Sequence, residues 1–190
     1  SFALYIETKN DIDKMEKWLE ITEEFGAVDV WVGEDEKNYQ RLIDFRHRLP
    51  ENINSYFRKI GSTKVSVDVA VPEEKFPEMY EFYSELIMNE NLHMIRFGHI
   101  GENHLHFNIF PVDEKEKEKA MEIYKKCIEK GISLGGTVSA EHGIGKLKHK
   151  WLELMYGRDG IMDMVKIKKV FDPFCILGLN NIFPKEYLNL

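Results

Sequence analysis

Cysteine, proline and glycine are all sparse: 2, 6 and 13 of 190 residues. Two cysteines, Cys127 and Cys175, make no disulfide framework, so a reducing, cytoplasmic setting is expected. So few helix and strand breakers exclude a collagenous or low-complexity chain. A surplus of positive charge is also missing. Against 33 Asp and Glu stand only 26 Lys and Arg, a formal net charge of -7, which disfavours recognition of phosphate backbones and hence nucleic acid. Long apolar runs are absent too: the stretch at 65–71 falls far short of the ~20 residues of a bilayer span. No transmembrane segment is expected, and any membrane association would be peripheral. No charged and then apolar leader opens the chain. It begins at Ser1 inside a strand-like stretch, which predicts further sequence upstream. What is present is a composition 43% hydrophobic and 12% aromatic, that of an ordered domain with a packed core.

Periodicity predicts strands over 2–7 and 27–32, with a helix between them capped by Asn10 or Asp11 and ended by Gly26. A helix over 36–47 stops before Pro50, a short helical piece follows, and alternation over 64–71 gives the clearest strand. From Pro72 a helix carries Phe76, Met79, Tyr80, Tyr83 and Ile87 on one face; 94–99 and 104–110 then read as a hairpin around Gly101, Glu102 and Asn103. Asp113 starts a charged helix whose Ala120, Tyr124, Cys127 and Ile128 face inward, and helices near 151–155 and 160–171 follow a glycine-rich loop. The expected class is α+β: a ferredoxin-like (split βαβ) antiparallel sheet with helices on one face over 1–112, and a helical extension with the glycine-rich loop over 113–190, forming one compact unit.

Side chains alternate across a strand, so Val65, Val67, Val69 and Val71 share one side while Lys64, Ser66, Asp68 and Ala70 share the other. By the same rule Leu105, Phe107 and Ile109 point inward and His104, His106 and Asn108 outward. Five histidines, His93, His99, His104, His106 and His142, fall within 93–142. A tight hairpin brings His99 and His106 to one end of the sheet, and Glu141 is available as a third ligand, a set that suits a divalent cation with open positions. The bland reading makes the two histidines hydrogen-bonded sheet residues and Glu141 a surface carboxylate. His142, beside Glu141, is the candidate acid or base. Gly135, Gly136, Gly143 and Gly145 allow a close backbone approach to a ligand without forming a nucleotide fingerprint. Arg46 and Arg48 offer a carboxylate clamp or, in the plainer reading, helix-end charges.

The run Gly98-His99-Ile100-Gly101-Glu102-Asn103-His104-Leu105-His106-Phe107-Asn108 resembles the GHxGDGNLHxN signature of the FAD-linked oxidase C-terminal domain. Residues 135–145 (GGTVSAEHGIG) resemble that family's GGTxSGEHGxG, and 171–177 (FDPFCIL) its FDPxxIL. Arg46 with Pro50, and Asp68 with Pro72, fit its weaker WxxRxxxP and DxxxP landmarks. The family includes D-lactate dehydrogenase, glycolate oxidase and D-2-hydroxyglutarate dehydrogenase, flavoproteins that oxidise D-2-hydroxy acids to 2-oxo acids. The resemblance implies a substrate or cap domain that partners an N-terminal FAD-binding domain or subunit, not visible in this chain. It implies His99, His106 and Glu141 as ligands of a divalent metal, zinc foremost, His142 as base, and Arg46 and Asn108 as substrate-binding groups. Hydride then passes from the carbinol carbon to FAD. The isolated chain is expected to be inactive, and a homodimer is compatible with the reading.

Glu102-Asn103-His104 stands where the signature has Asp-Gly-Asn, which puts His104 on the polar face as an extra or alternative ligand, and Ala140 stands where it has glycine. Ser66 occupies a place some relatives give to lysine, so Lys64, one strand step earlier, is taken as the third substrate-binding group. The Asn-Pro-Gly-Lys after FDPxxIL is Gly178-Leu179-Asn180-Asn181 here. These departures keep a second reading open: a stand-alone metal- or small-acid-binding ferredoxin-like module, the non-catalytic partner of a separate flavoprotein.

Overall fold

The structure is a computed structural model and describes residues 2–9 and 12–188. The chain forms two compact units, Ser1–Tyr56 and Phe57–Leu190. The first contains helix α1 (Ile12–Glu24) and most of α2 (Glu36–Lys59). Its Asp35 caps α2, accepting the Asn38 N–H at 2.8 Å. The proposed cap of α1, Asn10 or Asp11, lies outside the described residues.

Two expectations for this region are corrected. Residues 2–7 and 27–32 pair with no strand among the described residues, and Phe2, Leu4, Val28 and Trp31 are exposed. Alternation reports a two-sided chain, not the existence of an edge to pair with. Nor does the helix stop before Pro50; α2 runs through it as one 24-residue element. An internal proline costs about 3 kcal/mol, yet the next turn carries Ile53, the buried residue of this helix, and burial there favours continuing.

The second unit is built on three antiparallel strands, β1 (Val65–Ala70), β2 (Met94–His99) and β3 (His104–Ile109), in the order β1-β3-β2. With α3 (Phe76–Asn89), α4 (Glu114–Ser133) and α5 (His149–Phe171), the fold is α+β as expected. Val67 faces Phe107 and Val69 faces Leu105 across the β1/β3 ladder; all four belong to the core with Met79, Tyr83, Ile123 and Ile128 of α3 and α4. Tyr83 stacks on Phe107 at 4.8 Å. The buried stripe of α3 is Met79, Tyr83 and Leu86, whereas Tyr80 and Ile87, expected inside, are exposed. Asp113 caps α4, accepting the Glu116 N–H. Gly157, at φ 69°, breaks the helical geometry of α5 and divides it into the two pieces the sequence predicts.

The hairpin turn holds Asn103 at φ 55°, the left-handed region that glycine takes freely and asparagine tolerates better than other side chains. Asparagine at the signature's glycine position therefore keeps the turn.

Candidate functional site

The second sheet face is polar. The register sets Ser66 against Asn108 and Asp68 against His106 on one side of β3, and His99 against His104 on the other. Asp68, His104, His106 and Asn108 are all at least nine-tenths buried. The face is thus covered, as two histidines and an asparagine in series imply.

Residues 137–142 lie along β1. The Thr137 N–H donates to the Ala70 carbonyl at 2.9 Å, and the Ala140 N–H to the Asp68 carbonyl at 3.0 Å. At Gly136 a β-carbon would overlap the Ala70 carbonyl, so this glycine serves packing against the strand rather than approach to a ligand. The Asp68 carboxylate completes the attachment. Its Oδ2 accepts the His142 N–H at 2.9 Å, the Ser139 hydroxyl at 2.8 Å and Lys148 Nζ at 3.2 Å. Burial pushes the Asp68 carboxyl up, but His104, the His142 N–H, Ser139 and Lys148 outweigh it and hold the group well below the ordinary carboxylate range. His104 Nε2 stands 2.9 Å from Asp68 Oδ1, with no well-formed hydrogen bond between them.

So anchored, Glu141 turns its carboxylate toward the histidines. Glu141 Oε2 lies 3.2 Å from His106 Nε2 and 3.8 Å from His99 Nε2. His99, His106 and Glu141 each offer a ligand atom, all within 4.8 Å of one another. Burial first, then the neighbouring His104, lowers the His106 pKa against the pull of Glu141, which favours the neutral, lone-pair-bearing ring that metals require. The His142 ring sits 5.1 Å from that of His106. Two imidazoles, a carboxylate and a flanking imidazole are a donor set for a hard or borderline cation with an acid–base group beside it.

A family model for FAD linked oxidases, C-terminal domain, matches residues 1–180. The chain belongs to that family. It is 28% identical over 174 residues to the glycolate oxidase subunit GlcD of Bacillus subtilis, covering 90% of this chain and 36% of the relative. It is 29% identical over 173 residues to a D-lactate dehydrogenase of Archaeoglobus fulgidus, covering 91% and 37%. With a D-2-hydroxyglutarate dehydrogenase of Stutzerimonas stutzeri it shares 28% over 163 residues, covering 83% and 34%. The chain thus spans about a third of the length of these relatives.

Of the other residues predicted in this FAD-linked oxidase C-terminal domain, Asn108 and Lys64 belong to the second unit and Arg46 to the first. Asn108 is buried on the polar face; its Oδ1 accepts from Ser66 Oγ at 2.8 Å, and its Nδ2 has no partner. Lys64 precedes β1 and holds Nζ 5.7 Å from the Phe57 ring centre. Arg46 belongs to the first unit, its guanidinium 6.0 Å from the Tyr5 ring. A cleft of about 500 Å³ in that unit, lined by Trp31, Phe45, Arg41 and Arg48 among others, includes Arg48 of the candidate carboxylate clamp but not Arg46. Asp172 of the FDPxxIL motif accepts the Ile176 and Leu177 N–H groups and Lys168 Nζ, so the motif builds a turn after α5. Among the described residues no helix is long and apolar enough to cross a membrane.

The sequence reading missed Asp68, Ser139 and Lys148 as the anchor of the loop. One signal was available: a carboxylate at Asp68 on the face of β1 that also carries Ser66 and Ala70, set against His106 by the register.

Proposed function

We propose that this chain is the substrate-side domain of an FAD-dependent D-2-hydroxyacid dehydrogenase of the D-lactate or glycolate type, oxidising a 2-hydroxy acid to a 2-oxo acid. The observation that carries the reading is the convergence of His99 and His106 Nε2 on Glu141 Oε2, at 3.8 and 3.2 Å, with His142 the next residue in the chain. His99, His106 and Glu141 would hold a divalent cation, zinc foremost, and that cation supplies positive charge that lowers the pKa of the substrate hydroxyl. FAD supplies the two-electron acceptor and is held by a partner domain: imidazoles and one carboxylate suit a cation, not a dinucleotide, and no residue here is assigned to the flavin.

His142 is the general base and takes the hydroxyl proton on a ring nitrogen. Its backbone is fixed through the N–H bond to Asp68, so the ring pivots about a held point. Asn108 Nδ2, a buried donor with no partner, and the Lys64 cation are the groups proposed for the substrate's oxygens, and Arg46 is carried as a substrate-binding group on the family resemblance alone.

The test uses the complete flavoprotein. His142→Ala is expected to lower turnover of D-lactate or glycolate about 10²- to 10⁴-fold while bound metal stays; His106→Ala is expected to lose the metal. Full turnover in the first variant, or stoichiometric metal in the second, overturns these roles. Metal binding with no turnover of any 2-hydroxy acid would favour the non-catalytic module.

A further inference from the structure

His104 has no part in that chemistry, yet it occupies the middle of the site. It is 3% exposed, lies on the central strand, and is paired with Ala70 on one side and His99 on the other. Its two nitrogens face two carboxylates: Nε2 is 2.9 Å from Asp68 Oδ1, and Nδ1 is 3.9 Å from Glu141 Oε2. Glu141 Oε2 is therefore surrounded by three ring nitrogens, at 3.2 Å (His106), 3.8 Å (His99) and 3.9 Å (His104). The two longer separations exceed a hydrogen bond. Ligands bound at about 2.0–2.2 Å to one tetrahedral cation stand about 3.3–3.6 Å apart; His99, His106 and Glu141 meet within 4.8 Å of one another, and His104 approaches that group through Glu141, at 3.9 Å.

We propose that His104 coordinates, through Nδ1, the same cation as His99, His106 and Glu141, making a set of three imidazoles and one carboxylate. Behind it Asp68 Oδ1 stands 2.9 Å from Nε2, close enough to become the carboxylate partner that metal-binding histidines commonly have once the ring turns onto a cation. Asp68, His104 and His106 also bring ligand atoms within 4.8 Å of one another, but a cation seated there would face the Lys148 ammonium, which already lies 3.2 Å from the same carboxylate. The outer seat avoids that repulsion. Four protein ligands with a single negative charge leave a dication net positive but fill a tetrahedral shell, so a substrate oxygen would join only as a fifth ligand. The inference rests on the cation reading above.

The test loads the full chain with zinc and needs no turnover. X-ray absorption at the zinc edge is expected to count three imidazoles in the natural protein and two in His104→Asn, which carries the residue that the family signature has at this place. A competing chelator should show zinc binding weakened in that variant by at least the roughly 10- to 100-fold that loss of an outer-shell partner costs, with His104→Gln as a second variant should the first misfold. Two imidazoles in the natural protein, or unchanged affinity in both variants, overturns the proposal. Glu141→Gln separates the two levels of inference. If it weakens zinc while the His104 variants do not, the cation reading stands and the role of His104 falls. If it leaves zinc unaffected, the cation reading itself falls, along with the shared seat.

Discussion

The backbone N–H of His142 donates to Asp68 Oδ2 at 2.9 Å, tying the glycine-rich loop to a strand more than seventy residues earlier in the chain. The same carboxylate accepts from Ser139 and Lys148. Asp68→Ala would leave these donors unsatisfied in a buried place, and a loss of about 3–5 kcal/mol is expected in urea unfolding. Asp68→Asn, which keeps one acceptor oxygen, should lose less. A loss below about 1 kcal/mol for the alanine variant would show that water replaces the carboxylate.

Gly136 sits where any side chain meets the Ala70 carbonyl, with the Gly131 carbonyl 2.9 Å from the added β-carbon. Gly136→Ala is expected to lower stability by about 1–3 kcal/mol, the range for an over-filled core, and to weaken zinc binding because Glu141 moves with the loop. Unchanged urea midpoint and zinc affinity would contradict the close approach.

Asn103 holds φ 55° at the hairpin turn. Asn103→Gly should leave thermal stability within about 1 kcal/mol of the natural protein. Asn103→Val should lose about 1–2 kcal/mol, because a branched side chain opposes the left-handed region.

Asp172 titrates below the ordinary carboxylate value, first because Lys168 donates to it and then because the Leu177 N–H does, against a smaller opposing effect of burial. A depressed folded pKa adds stability at every pH above the unfolded value of about 4 and loses it as pH falls through the folded one. The stability gap between the natural protein and Asp172→Asn should therefore be widest above pH ~5 and shrink on acidification. A gap that does not change with pH would remove the charge from the account.

Much of this was legible in residue order because it depends on neighbours in sequence. The period-2 pattern of Val65, Val67 and Val69 against Ser66 and Asp68 fixed the faces of β1, as the register has it; the hairpin sets His99 against His104, with His106 one step further along the same face. Asp113 marked a helix start for local backbone reasons, and the expected gap between 151–155 and 160–171 is where Gly157 breaks α5. What was not legible depends on distant partners. The stretches 2–7 and 27–32 read like strands but have no ladder to join among the described residues, and nothing around Pro50 announces that the turn holding Ile53 continues the helix. That Asp68 would meet Ser139, His142 and Lys148 follows from chain crossing, which no local pattern encodes. The family motifs led to Glu141 and His142 by similarity, and gave no reason for their place above the sheet.

Strand β3 is bonded along both edges and buried at all six positions, so its amides should be among the slowest in the molecule to exchange with solvent, opening only when the whole unit opens. His104 and His106 ride on that strand, while His99 and Glu141 keep side chains 40% and 51% exposed. The site thus has a rigid floor and an accessible rim: a metal ion would enter and leave past Glu141 and His99, and its release rate would be set by the loop tether rather than by any breathing of the sheet.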